Sequence, residues 1–321
     1  MSNFLFSSAA KSGGLSQEAP EPEQPAANSA VESPQVDDPY YQTRLALVAR
    51  INRDRTANGV GPVEFDRLSS QVGDQHCQEM AARKFLSHWN QRGLLPYHRY
   101  HLAGGRDYAM ENASRVTIYS VDPSPIPTQP EEILPQLLDA HQRMMDEKPP
   151  LDGHRRNILD PYHTHAGIGF AVVGGDLTMT QMFVNRYVRL QEAFPWELPR
   201  RSIEVRGEVL KKDFGPYYCA LFYEGTIEPR TVEQLNRTYA YTDPSGQPCS
   251  TVSPWQMSFD RGRARFRFTV PVGNCGPGYY RMMLWVRSPA NSIPYQLVPG
   301  VAARVDTKNG IGCAGWVFRK E

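Results

Sequence analysis

The spacing of apolar residues changes along the chain, and this change constrains the fold more than any other feature. Residues 40–58, 66–83 and 130–147 carry apolar side chains every three or four positions, which predicts amphipathic helices, the second with Asp66 as its N-cap. Residues 169–173 and 177–185 are instead apolar runs joined by a Gly-Gly-Asp turn, which predicts a β-hairpin. Helices followed by a hairpin predict an α+β layered domain, which we place at residues 38–192.

The chain on either side of this region has a different composition. Residues 1–37 consist mainly of Ser, Ala, Pro, Glu and Gln, and they bury too little apolar surface to fold, so we expect a disordered tail or linker. Residues 200–321 contain short segments rich in aromatic and β-branched residues, separated by Gly, Pro and Asp, which predicts a separate all-β sandwich of unknown role. The predicted strands are residues 203–210, 217–223, 263–270, 279–286, 301–305 and 313–318.

The charge balance and hydropathy exclude two classes of partner. The chain has 35 Lys and Arg residues against 34 Asp and Glu residues, a net charge of +1, so it lacks the basic surplus of a nucleic-acid-binding protein. No stretch approaches the roughly 20 apolar residues that a membrane helix needs, so we expect no transmembrane segment. The first ten residues lack a basic start and a long apolar run, and they do not form a clear signal peptide.

The five cysteines are distributed unevenly. Cys77 lies on a predicted helix, where packing is its expected role. Cys219, Cys249, Cys275 and Cys313 all fall in the predicted β region and could form two disulfides, with three connectivities open. Disulfides would favour an oxidising compartment, so we expect an extracellular or periplasmic protein. Four reduced core cysteines are the alternative.

Three short segments that lie far apart in the sequence carry imidazole and carboxylate groups. They contain His88, Glu111 and His154. Taken alone, His88 is more typical of a histidine that fixes a turn, and Glu111 with Asn112 is typical of a turn or a helix cap. The sequence signatures of zinc metalloproteases, serine hydrolases and nucleotide-binding loops are absent.

The segments together resemble the CAP superfamily of cysteine-rich secretory, antigen 5 and pathogenesis-related proteins, and most of all its bacterial SCP-like branch. The resemblance spans residues 40–189 and implies an α-β-α sandwich. The segments that carry it are Phe85-Leu86-Ser87-His88, Glu111-Asn112-Ala113, Gly153-His154-Arg155-Arg156-Asn157-Ile158-Leu159-Asp160-Pro161, Gly167-Ile168-Gly169 and Gln181-Met182-Phe183.

Members of this superfamily have a central cleft lined by two histidines and two acidic residues. The resemblance assigns His88, Glu111 and His154 to this cleft. The fourth position falls on Glu147, with Asp146 as the alternative. In some members the two histidines bind zinc or another divalent cation, which implies a weak metal site at His88 and His154, because two protein ligands are fewer than zinc sites normally use.

Two functions remain open at this stage. The first is a secreted or envelope-associated binding module whose His/Glu cleft holds a small apolar ligand, a peptide or a cell-envelope component. The second is a metal-assisted hydrolase or protease, with the metal on His88 and His154 and with Glu111 or Glu147 as the base that activates water. We favour the first, because the sequence shows neither a defined nucleophile nor a third metal ligand.

Overall fold

The structure, a computed structural model, describes residues 38–117, 129–191, 193–241, 248–273, 276–287 and 310–320. The predicted tail at residues 1–37, the predicted strand at residues 301–305 and Cys275 lie outside these ranges. Within them, no helix combines the length and the apolar character that crossing a membrane requires.

The helical spacing in the sequence predicts three helices to within two residues at each end. Helix α2 begins where the side chain of Asp66 accepts a hydrogen bond from the backbone N–H of Ser69 at 2.7 Å, which is an N-cap. Two shorter helices, α3 and α5, were not predicted. The first five helices are α1 (Tyr41–Ala57), α2 (Arg67–Arg83), α3 (Pro96–Leu102), α4 (Pro130–Met145) and α5 (Gly153–Ile158).

The first sheet has four strands in the order β1-β3-β4-β2, so β2 lies at one edge. Only the β1 to β3 pairing is parallel. The predicted hairpin joins β3 to β4 through Gly174 and Gly175, which have φ angles of 56° and 83°, where glycine is favoured. The strands are β1 (Glu64–Phe65), β2 (Tyr108–Thr117), β3 (His165–Val173) and β4 (Asp176–Asn185).

Helices cover both faces of this sheet, which confirms the α-β-α prediction. On one face, Leu47 of α1 and Leu137 of α4 are buried with Phe183 of β4. On the other face, Val72 of α2 is buried with Met182, the neighbour of Phe183 along the same strand. Successive side chains of a strand point to opposite faces, so the two cores lie on opposite sides of the sheet.

The second part of the chain forms two further four-stranded sheets with a common core, which confirms the prediction of an all-β sandwich. Along β6 and β10 buried residues alternate with more exposed ones, as expected for strands with one face on a core. One sheet has the order β5-β6-β10-β9 and the other β12-β11-β7-β8. The elements are β5 (Val188–Leu190), β6 (Ser202–Val209), β7 (Gly215–Gly225), α6 (Val232–Leu235), β8 (Ser250–Val252), β9 (Ser258–Asp260), β10 (Arg265–Pro271), β11 (Gly278–Arg287) and β12 (Ile311–Lys320).

The two parts of the chain are closely joined. Strand β5 begins three residues after β4 ends, yet it pairs with β6 of the second part. Asp107 forms an isolated β-bridge with Ala314 of β12. Leu235 of α6 is fully buried with Cys77 and other residues of the first part. The boundary placed at residue 192 stays a prediction, and the hydrogen bonding assigns the residues of β5 to the second part.

Two disulfides in the second part would need all four of its cysteines. Cys219 and Cys313 are buried free thiols in the structure, so the predicted pair of disulfides is not formed in full, and Cys275 lies outside the described residues. Burial raises the pKa of both thiols far above the ordinary value, which keeps them protonated and unreactive. Cys77 is likewise a buried free thiol, packed beside Met80 and Phe85. The expectation of an oxidising compartment therefore has no support from these cysteines.

Candidate functional site

The first predicted pair, His88 and Glu111, is in direct contact. The ring Nδ1 of His88 lies 3.0 Å from Oε1 of Glu111. The Glu111 side chain is completely buried, whereas His88 keeps 14% of its side chain exposed. Glu111 lies in the middle of strand β2 rather than in a turn or a helix cap. It is therefore a buried acceptor that orients the more exposed imidazole.

A residue that the sequence analysis did not select, Arg99 of α3, neutralises Glu111. Its Nη2 donates to Oε2 of Glu111 at 2.7 Å, and its Nη1 donates to the backbone oxygens of His88 and Leu94 at 2.7 and 3.0 Å. Burial alone would raise the pKa of Glu111, but the Arg99 charge and the His88 hydrogen bond outweigh it and lower this pKa to about 2. Glu111 is thus an ionised, fully hydrogen-bonded carboxylate.

This depressed pKa predicts an acid-dependent loss of stability. A carboxyl group that is more acidic in the folded state contributes stability above its unfolded pKa, ordinarily 4.5, and loses it as the pH falls towards 2. We expect the unfolding free energy of the wild type to fall by up to about 3 kcal/mol more than that of Glu111→Gln between pH 5 and pH 2. Urea denaturation at both pH values measures this difference, and parallel pH profiles for the two proteins would contradict it.

The second predicted pair, Glu147 and His154, is also in contact. Oε1 of Glu147 lies 2.5 Å from the ring Nδ1 of His154, and Oε2 accepts the backbone N–H of His154 at 3.0 Å. Glu147 therefore holds both the ring and the first turn of α5. Asp146, the alternative for this position, ends α4, and its Oδ1 accepts a hydrogen bond from Gln142 at 2.7 Å.

The two pairs lie on opposite faces of the sheet at its β2 edge. Glu111 pairs with Met182 across the ladder and Asn112 pairs with Gln181, so their side chains point to different faces. The side chain of Glu111 holds His88 on the α2 side, whereas Asn112 donates to the backbone oxygen of His154 at 3.1 Å on the other side. Through the adjacent residues Glu111 and Asn112, strand β2 contacts both His88 and the segment that carries His154.

Both carboxylates bind the same ring nitrogen of their histidine. Because an ionised carboxylate is an acceptor, Glu111 favours a proton on Nδ1 of His88, and in the neutral form of that ring Nε2 carries the lone pair. Glu147 makes the same contact with His154. A carboxylate that orients a histidine through its other nitrogen is the usual arrangement behind a metal-binding imidazole. Within the described ranges, however, no three metal-binding side chains come together.

The remaining motif residues support this arrangement. Asn157 donates to the side-chain oxygen of Asn112 at 2.9 Å, and Arg155 donates to the backbone oxygen of Met145 at 2.6 Å. These contacts hold the segment that carries His154. Several other histidines are buried and hydrogen-bonded within the protein, namely His76, His98, His101, His141 and His163.

The second part of the chain also contributes to the site, which the sequence analysis did not anticipate. The phenolic oxygen of Tyr241 accepts the backbone N–H of Glu111 at 2.8 Å, at the free edge of β2. Its ring meets the His88 ring edge-on, with centroids 4.8 Å apart. A partial signal was present upstream, where Thr231 and Gln234 have the spacing of a helix capping box, which forms at α6. No pattern in the sequence indicated Tyr241 itself or the pairing of Arg99 with Glu111.

Comparison with protein families agrees with the predicted fold of the first part of the chain. The profile of the CAP, or cysteine-rich secretory protein, family matches residues 48–184. This region holds β2, both histidines and both glutamates of the site. This match confirms the predicted resemblance to the CAP superfamily over residues 48–184, which are less than half of the chain.

Three solved structures are similar to part of the chain. An extracellular SCP-domain protein from Bacillus anthracis str. Ames is 18% identical over 45% of this chain and 41% of its own, with a TM-score of 0.34. An outer surface protein from Borrelia burgdorferi is 13% identical over 46% of this chain and 94% of its own, with a TM-score of 0.35. A cysteine-rich secretory protein from Staphylococcus aureus subsp. aureus Mu50 is 12% identical over 48% of this chain and 40% of its own, with a TM-score of 0.26. The chain thus covers less than half of the first and third proteins. No curated protein matches the sequence.

Proposed function

We propose that this chain is a secreted or envelope-associated binding protein whose cleft is built around His88 and His154. The observation that carries the proposal is the state of Glu111. A general base must accept a proton from water near its working pH. Glu111 has no exposed surface, both of its oxygens are already hydrogen-bonded, and its pKa is lowered to about 2. It is suited to holding His88 in position and unsuited to activating water.

Glu147 supports the same interpretation. Its two oxygens hold the ring and the backbone N–H of His154. The ring of His154 is accessible to solvent, with 36% of its side chain exposed. The cleft therefore presents imidazole nitrogens, which bind by accepting hydrogen bonds or by coordinating cations. Ligands of the proposed class are a small molecule, a peptide or a component of the cell envelope.

The residues that would hold a divalent cation such as zinc are His88 and His154. Bound there, it would add a positive charge that attracts an anionic or carbonyl group of a ligand. Two imidazole donors fit weak binding, because structural zinc sites use four protein ligands and catalytic sites use three. The orientation of each ring by a carboxylate favours such binding over that of a free histidine.

The placement outside the cytoplasm is part of the proposal. The family takes its name from secretory proteins. The buried thiols Cys77, Cys219 and Cys313 fit either a reducing or an oxidising compartment, so they do not bear on it.

A metal-assisted hydrolase is the second candidate. One observation favours it, because the half-exposed ring of His154 is polarised by Glu147 across 2.5 Å, an arrangement that also suits a general base. Glu147 would then act through His154 rather than directly on water. In this alternative the hydrolytic rate with added zinc would depend on His154 and Glu147.

Binding and hydrolysis are separated by one set of variants. We expect the wild type to bind at least one lipid or glycan class on an array of membrane lipids and cell-wall glycans, and His154→Ala to lose at least ten-fold in affinity because the exposed imidazole is gone. His165→Ala, a partly buried histidine at the start of β3, is the matched control and should bind as the wild type.

The same proteins are incubated with a fluorogenic peptide library, with and without added zinc. The binding proposal expects no cleavage by any variant. Cleavage by the wild type that disappears in His154→Ala would favour the hydrolase instead. Equal array signals for wild type and His154→Ala would overturn the proposal that this cleft is the binding site.

A further inference from the structure

A segment of the second part of the chain, residues 231–241, lies across the first part beside the cleft. It is anchored by Leu235, which is fully buried with Cys77, Met80 and Phe85. Two polar contacts continue the attachment, between the hydroxyls of Ser87 and Thr238 at 2.7 Å and from the backbone N–H of Leu86 to Asn236 at 3.1 Å. The segment therefore follows the residues just before His88 and ends at Tyr241.

Tyr241 contacts both the edge of strand β2 and the ring of His88. Its oxygen accepts the N–H of Glu111 at 2.8 Å and lies 3.9 Å from the sulfur of Met110, a distance that allows a weak O–H to sulfur hydrogen bond. The ring packs edge-on against His88, whose Nδ1 is held by Glu111. Contacts to the backbone of the strand edge, to the Met110 sulfur and to the His88 imidazole thus hold Tyr241 in position.

These contacts define what this half of the cleft accepts. The N–H of Glu111 lies on the free edge of β2 and needs an acceptor oxygen. The His88 ring offers an aromatic surface, and its centroid lies 4.8 Å from the centroid of the Tyr241 ring. The Glu111 carboxylate contributes nothing further, because Arg99 and His88 occupy it. An aromatic ring that carries a hydroxyl group satisfies both requirements together.

We propose that the His88–Glu111 half of the cleft is a site for an aromatic hydroxyl group and that Tyr241 is its resident internal ligand. The inference rests on the proposed function in treating the cleft as a binding site. An external ligand must then displace Tyr241, so the second part of the chain regulates access. The burial of Leu235, six residues earlier, keeps the segment attached while Tyr241 leaves.

The hydrogen bond to Glu111 and the aromatic contact with His88 indicate the scale of this closure. A net hydrogen bond and an edge-on aromatic pair each contribute modestly, and together they favour the closed state by about ten-fold. A ligand that needs the open state then binds about ten-fold more weakly than it would to an empty cleft. A preference of only about ten-fold for the closed state makes the closure reversible.

The closure is tested by the reactivity of His88 towards diethylpyrocarbonate, followed by mass spectrometry of the whole chain. We expect Tyr241→Ala to increase the modification rate of His88 about ten-fold, because the ring that covers it is removed. Tyr239→Ala is the matched control, since Tyr239 lies on the same segment and is 87% exposed, and it should leave the rate unchanged. The modification rate of His154 is the internal reference, and it should be the same in the wild type and in both variants.

The ligand class is tested by adding 4-methylphenol or toluene to Tyr241→Ala. We expect 4-methylphenol to restore the slow modification of His88 and toluene to do so much less, because toluene lacks the oxygen that Glu111 N–H requires. Tyr241→Phe keeps the ring and gives a smaller increase of about three-fold. If the thermal unfolding curve of Tyr241→Ala shows loss of folding, the His88 modification rate of Tyr241→Phe tests the closure in its place.

Equal His88 rates in the wild type and in the Tyr241 variants would overturn the closure. Equal protection by toluene and 4-methylphenol, or protection by neither, would overturn the aromatic hydroxyl site. Neither result depends on the envelope ligand or on the array. Failure of the binding proposal and failure of this inference are therefore distinguishable.

Discussion

Replacing Arg99 with Met should lower the unfolding free energy by about 3–5 kcal/mol, the largest effect that we expect from a change beside the site. Arg99 is the only full positive charge that the described contacts bring onto the Glu111 carboxylate, at 2.7 Å. Without it, a completely buried carboxylate must either stay charged without compensation or take up a proton. Urea denaturation at pH 7 measures the change.

A double variant separates this charge effect from lost packing. Arg99→Met combined with Glu111→Gln removes both charges and keeps side chains of similar size, so we expect it to recover most of the loss. The non-additivity of the two changes is the measured quantity. If the double variant is as unstable as Arg99→Met alone, the cause is packing around α3 rather than an uncompensated charge.

Gly169→Ala should destabilise the protein by about 3 kcal/mol, at the upper end of the usual range for overpacking. Helix α2 lies so close to β3 that a methyl group on Gly169 would be 2.2 Å from the backbone carbonyl carbon of Gly73. The atom that it meets is backbone, which cannot turn aside as a flexible side chain does. The helix would have to move away from the sheet, and with it the segment that leads to His88. The shift in thermal midpoint measures the effect.

Gly61→Ala is the matched control for this prediction. A methyl group at Gly61 would meet no atom within 4 Å. We therefore expect its thermal midpoint to stay close to that of the wild type, or to rise slightly because alanine restricts the unfolded chain. A midpoint for Gly169→Ala equal to that of Gly61→Ala would show that α2 can shift at little cost.

Local patterns were enough to predict the long elements of this protein. The helical spacing of α1, α2 and α4 and the glycine turn between β3 and β4 depend on neighbouring residues, and the structure agrees with them. Strand β2 was not predicted, because it is buried on both faces around Ala109 to Ala113 and therefore lacks the alternation of a half-exposed strand. Helix α3 was missed because six of its seven residues are buried, so it lacks a polar face that would reveal its period.

The candidate site could be predicted only as a set of residues. Resemblance to the CAP family selected His88, Glu111, Glu147 and His154, and the structure pairs each glutamate with one histidine. What the sequence could not indicate is which groups surround them. The contact between Arg99 and Glu111 spans only twelve positions, but it depends on how α3 packs against β2. Tyr241 is 130 positions from Glu111, and only the packing of the second part of the chain brings them together.

The short passage from β4 to β5 has a consequence for how this protein can change over evolutionary time. Only two residues, Arg186 and Tyr187, separate the last strand of the CAP domain from the first strand of the sandwich. A connection of this length leaves no spacer at which one half could be exchanged for an unrelated module while the other kept its surroundings. The side chains around His88 come from both halves, so we infer that the two halves are inherited as a single unit.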